Sequence, residues 1–104
     1  MTIPTQVNHP RFPVSDADII YDDGEFSVAF SVWDDEDKAV GIRWNHSQGG
    51  EGSGIGFPNS RSRPCWFILP TFFGRVFLKG LKASSFENKN VKQIQKAIKI
   101  LEAL

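Results

Sequence analysis

Two runs of strict alternation separated by an acidic tetrad constrain this chain more than any other feature. In residues 25–33, EFSVAFSVW, the large side chains Phe26, Val28, Phe30 and Val32 alternate with Ser27, Ala29 and Ser31. In residues 38–44, KAVGIRW, Val40, Ile42 and Trp44 fall on one side and Arg43 on the other. Period two is the repeat of a strand, whose successive side chains point to opposite faces. Asp34, Asp35, Glu36 and Asp37 lie between the runs, so the pair predicts a β-hairpin with an acidic turn. One face of that hairpin is large and apolar. The other is small enough for close packing, and Arg43 falls on it beside Ser27, Ala29 or Ser31.

A sheet with one greasy face needs a cover. Residues 87–104 predict an amphipathic helix. Val91, Ile94, Ala97, Ile98, Leu101 and Leu104 share one side, with Lys89, Lys92, Lys96 and Lys99 opposite. Ser84 or Ser85 is the expected cap, with Glu87 in the first turn. Residues 65–69, CWFIL, read as a fully buried strand stopped by Pro70. In residues 71–81, Phe72, Phe73, Val76, Phe77 and Leu81 follow helical spacing, with Thr71 as cap and Gly80 as terminator. The spacing predicts a second helix there, against a strand reading favoured by Val and Phe. Ile19, Ile20 and Tyr21 predict a short strand, and Asp22-Asp23-Gly24 a turn.

The expected fold is therefore α+β: an antiparallel sheet of three to five strands packed against a C-terminal amphipathic helix, with a second helix at 71–81. Pro4, Pro10 and Pro13 make residues 1–17 an irregular N-terminal arm, pinned by Phe12 and Val14, ahead of a single domain at 18–104. With 104 residues and 12% aromatics, the chain has the apolar mass for one domain. No apolar run approaches the ~20 residues of a membrane span. The opening residues lack the pattern of a secretory signal. The lone Cys65 suits a reducing compartment, so a cytoplasmic location is expected, with no membrane partner.

Charge is divided along the chain. Residues 1–37 hold nine carboxylates and one cation, Arg11; the remainder holds eleven Lys and Arg against Glu51, Glu87 and Glu102. Such a division points to a charged partner, to attraction between two parts of one fold, or to head-to-tail self-association.

Residues 45–64 carry five glycines and four serines. A stretch of that length and composition is a candidate recognition loop. His46, Arg61 and Arg63 lie within it, Trp44 and Trp66 flank it, and Arg43 adds charge. Large amphipathic rings are enriched at binding hot spots. These residues form the expected protein-binding surface, and Asp34, Asp35, Glu36 and Asp37 form a second one. The expected function is that of a small accessory or inhibitor protein that recognises another macromolecule without chemistry. The alternative is nucleic-acid binding through Lys89, Lys92, Lys96 and Lys99, whose spacing suits a phosphate backbone. A Cys65–His46 nucleophile and base is a remoter, catalytic alternative. The glycine array lacks a following helix and a Lys-Ser or Lys-Thr pair, so it is neither a nucleotide P-loop nor a dinucleotide fingerprint. One Cys and two His do not make a zinc site. No cofactor or metal is expected.

Overall fold

The computed structural model describes residues 2–45, 54–61 and 63–104. It has an α+β architecture. The order is β1 (Ile19–Asp22), β2 (Phe26–Val32), β3 (Lys38–Trp44), β4 (Asn59–Ser60), β5 (Arg63–Pro64), β6 (Phe67–Leu69), α1 (Thr71–Ala83) and α2 (Val91–Glu102). Strands β1-β2-β3-β6 form one antiparallel sheet, and β4 and β5 a small hairpin of their own. The two alternating runs pair along their full length, from Phe26↔Trp44 to Val32↔Lys38.

Each face of the sheet has its own core. On the large-residue face, Val28, Phe30 and Val40 pack with Leu78 and Leu81 of α1 and Ile94, Ala97, Ile98 and Leu101 of α2. Fully burying one such aliphatic side chain stabilises by roughly 1.5–3 kcal/mol. Gly74 faces this core, and a Cβ there would lie 3.1 Å from Val40 Cγ2. The glycine that weakens α1 as an isolated helix lets it approach β3 closely. On the small-residue face lie Val7, Phe12 and Val14 of the arm with Ala29, Ala39 and Trp66. Residues 2–18 are irregular apart from two short 3-10 turns, Pro4–Gln6 and Asp16–Asp18. They nevertheless supply half of this second core. Trp66 Nε1 donates to the Val7 carbonyl at 2.7 Å, and the Phe12 and Trp66 rings meet edge to face at 5.9 Å.

Several local expectations are corrected. The 65–69 run is an edge strand of three residues, because Phe67 faces solvent while Trp66 points into the second core. α1 begins at Thr71, with Pro70 at the cap position and no side-chain cap. It runs through Gly80 to Ala83 and is closed by Ser84, whose Oγ donates to the Leu81 carbonyl at 2.6 Å. Ser84 thus ends α1 and does not start α2. The cap of α2 is Asn90, whose Oδ1 accepts from the Gln93 amide at 3.2 Å, so Glu87 lies outside the helix.

Candidate functional site

The helices leave one end of the sheet uncovered. Phe26 and Trp44 are direct cross-strand partners there, with ring centroids 4.9 Å apart in an edge-to-face contact. On the same margin of β3, next to the start of β6, position 57 takes up the pairing with Trp44. Trp44 and Phe57 exchange backbone hydrogen bonds of 2.7 and 2.9 Å. Phe67 sits opposite Ile42. Trp44 is 53% exposed, and Phe57 and Phe67 are each 55% exposed. Phe26, Ile42, Trp44, Phe57, Pro58 and Phe67 line a groove of about 440 Å³. Phe72, Phe73 and Val76, at the start of α1, are also exposed.

Arg43 holds this end together from inside. Its side chain points to the small-residue face, opposite Ser27, as its place in the alternation dictates. It is 1% exposed. Nε donates to Asn45 Oδ1 at 3.0 Å, and the terminal nitrogens to the carbonyls of Cys65 at 2.7 Å, Trp44 at 2.9 Å and Ile55. Burial holds its pKa below the usual guanidinium value. The acceptors are all neutral, so the fork works as a rivet joining β3, the return at 55 and the lead into β6. Gly56 is adapted to the same point. Its φ is +80°, and a Cβ there would fall 1.8 Å from the Trp44 carbonyl oxygen. Only glycine fits both the conformation and the space.

The β4–β5 hairpin lies next along the chain. His9, Pro10, Ser60, Arg61, Arg63 and Cys65 line a separate cleft of about 350 Å³. Neither Arg61 nor Arg63 makes an ion pair among the described residues. The Cys65 thiol donates weakly to the Arg63 carbonyl at 3.4 Å. His9, which the sequence places in the proline-rich arm and away from Cys65, shares this cleft, and His46 lies outside the described residues.

The structure brings Trp44 and the hairpin arginines to one end of the molecule and withdraws other expected contact residues. Trp66, 2% exposed, and Arg43 are interior and present no side chain to a partner. The acidic loop is engaged by the arm: Arg11 pairs with Asp34 at 3.0 Å and with Asp35, and the Asp34 amide donates to the Arg11 carbonyl at 2.8 Å. The Asp35 and Asp34 carboxylates raise the Arg11 pKa. All four acidic residues, Asp34, Asp35, Glu36 and Asp37, remain exposed. In the lysine row, Lys89 lies before α2 and donates to the carbonyls of Lys82, at 3.0 Å, and Ser84, where a cation suits the C-terminal end of α1. Lys92, Lys96 and Lys99 stay exposed on α2.

The sequence reading missed Phe57, Phe67 and Phe86 as surface residues. Of the nine phenylalanines, Phe57, Phe67, Phe72, Phe73 and Phe86 are exposed, so more than half of them lie outside the core. Among the described residues, no helix is long and apolar enough to cross a membrane. Comparison with protein-family models, curated proteins and solved structures found no match to this chain.

Proposed function

We propose that the protein is a non-enzymatic binding module that recognises another protein through the aromatic end of its sheet, with Arg61 and Arg63 at the border. The observation that carries this reading is the half-exposed aromatic surface around Trp44, Phe57 and Phe67. Large contiguous apolar patches on a folded chain mark interaction sites. Aromatic side chains carry about 150–250 Å² each. Trp44, Phe57 and Phe67, each about half exposed and lining one groove, present on the order of 350 Å², the size of the apolar patches that are often functional on folded proteins. The rivet at Arg43 supports the reading further, because it holds the patch rigid before contact and lowers the ordering cost of association. Accessory or inhibitory action would follow from occupancy of the partner's surface. A cytoplasmic setting suits the single reduced Cys65.

The test is capture from the native cell with the wild-type chain and with the Trp44→Ala, Phe67→Ala and Lys92→Ala variants, with and without nuclease. The expected result is one protein partner retained by Lys92→Ala, lost by both aromatic variants and indifferent to nuclease. Retention of that partner by well-folded Trp44→Ala and Phe67→Ala would remove the aromatic end as the contact. Loss on nuclease treatment or with Lys92→Ala would favour nucleic acid.

A further inference from the structure

The Phe26–Trp44 pair has a second side. Between it and α1 lies another groove, of about 320 Å³, at the lower end of the ~300–1,000 Å³ typical of small-ligand pockets. Val28 and Leu81 also line it, and Phe77 of α1 and Phe86 of the connection to α2 bring further rings. Tyr21 and Phe86 are in ring contact at 5.9 Å. Five aromatic side chains therefore border one concavity, and among the described residues the single charged one in its lining is Asp23.

That carboxylate is fixed. Asp23 Oδ1 accepts the amides of Phe26 at 2.7 Å and Glu25 at 2.9 Å, and Oδ2 accepts the Tyr21 hydroxyl at 3.0 Å. These bonds favour its charged form and hold it ionised below the ordinary carboxylate range. Among the described residues, no cationic side chain lines the groove. Lys89, whose backbone bridges Tyr21, directs its ammonium to the Lys82 and Ser84 carbonyls.

We propose that the groove formed by Tyr21, Asp23, Phe26, Trp44, Phe77 and Phe86 binds a weakly hydrated organic cation, a quaternary ammonium group. Aromatic faces carry negative quadrupole potential and attract such a cation, and Asp23 adds full charge at the rim. The scarcity of acceptors selects the kind of cation. A primary ammonium entering the groove gives up hydrogen bonds to water for its N–H groups. The lining offers little in return, because Asp23 Oδ1 already accepts two bonds and Oδ2 one. A fully methylated nitrogen has no N–H to satisfy. The same chemistry occurs in free choline-like molecules and in a trimethylated lysine side chain. The site is independent of protein recognition on the other wall of Trp44, since Phe57, Phe67 and Arg61 take no part in it.

The test is an NMR titration of the full chain at constant ionic strength, following the Trp44 indole and the Tyr21 and Phe86 rings. The probes are choline and 3,3-dimethyl-1-butanol, its uncharged counterpart of nearly the same shape. Choline should bind at the groove about fivefold or more tightly than the alcohol, as a cation–π site requires. Asp23→Asn keeps the turn-closing acceptor and should remove most of that preference. Phe86→Ala, at an exposed position, should weaken choline binding with the fold intact. A trimethyllysine peptide that binds more tightly than both choline and its unmethylated form would assign the source to a protein tail. Equal binding of choline and that peptide would assign it to the cationic group alone. Equal affinity for choline and the alcohol, or no response of the groove to choline, overturns the proposal, and neither result bears on the Phe67 and Arg61 surface.

Discussion

The ring of Phe12 occupies the space that a side chain at position 41 would need: a Cβ on Gly41 would lie 2.7 Å from Phe12 Cε2. The arm and the hairpin are therefore fitted to each other through a missing side chain. Gly41→Ala should lower stability by about 1–3 kcal/mol, the usual cost of forcing extra volume into a packed core. Equilibrium denaturation reads the loss. Hydrogen exchange at Val7 and Phe12 should rise more than exchange at Leu78. Unchanged protection of the arm would show that it is not held by this contact.

Arg43 should tolerate no replacement well. Arg43→Ala takes the guanidinium from the Cys65 carbonyl and from Asn45 Oδ1, while the Trp44 and Ile55 carbonyls keep the Phe57 amide and the Thr2 hydroxyl, and should cost about 1–3 kcal/mol, from the desolvation penalty of unpaired buried groups. Arg43→Lys keeps the charge but replaces a planar fork by one ammonium, which cannot reach four acceptors at once. It should recover less than half of the loss in a urea titration. Full rescue by lysine would mean that charge, and not the fork, is what the site uses.

Gly56→Ala combines a positive φ with a collision against the Trp44 carbonyl. The substitution should open the Trp44–Phe57 pairing while the helix-side core remains folded. The expected signature is altered Trp44 and Phe57 resonances with native shifts at Ile94 and Leu101. Native shifts throughout would contradict the close approach.

Asp23 supplies a pH prediction. The Phe26 amide is the main group lowering its pKa, with smaller help from Glu25 and Tyr21. The folded state thus holds this proton less readily than the unfolded chain. The linked stability is present at neutral pH and is lost as pH falls from the ordinary carboxylate value of about 4 through the lower folded value. The side chain is largely open to solvent, so its effect on overall stability is small, and its own carbonyl-carbon titration is the sharper readout. A midpoint at or above the ordinary aspartate value would show that the turn hydrogen bonds do not form.

The hairpin was legible because both of its strands alternate and their partners are close in sequence. The α2 stripe was legible for the same reason: Ile94, Ala97, Ile98 and Leu101 repeat at helical spacing and all are buried. The cap was not, because Ser84 looks the same whether it ends one helix or starts the next, and only the position of Leu81 decides. The edge strand misled because Trp66-Phe67-Ile68-Leu69 is apolar at every position. Nothing in that run says that Trp66 and Ile68 meet the arm and Leu69 the helices while Phe67 is left open. Arg43 was placed on the correct face, yet its burial depends on carbonyls from positions 55 and 65, whose approach no local pattern encodes. Trp44 was singled out from its place beside the long loop. Its neighbours Phe57 and Phe67 were not, since exposure of a phenylalanine is a property of topology.

Both lateral margins of the main sheet are obstructed. Lys89 and Asn90 lie along β1, with the Asn90 amide bonded to the Ile20 carbonyl at 2.9 Å. On β6, alternation of the ladder directs Phe67 and Leu69 toward β3; the Trp66 amide is taken by the His9 carbonyl at 2.8 Å, and Pro70 has no donor. Among the described residues of β6, Ile68 is the one left to offer main-chain groups outward. A neighbouring molecule therefore cannot extend this sheet strand by strand, and assembly with a like or unlike chain has to proceed by side-chain contact. That arrangement guards a phenylalanine-rich surface against fibrous growth.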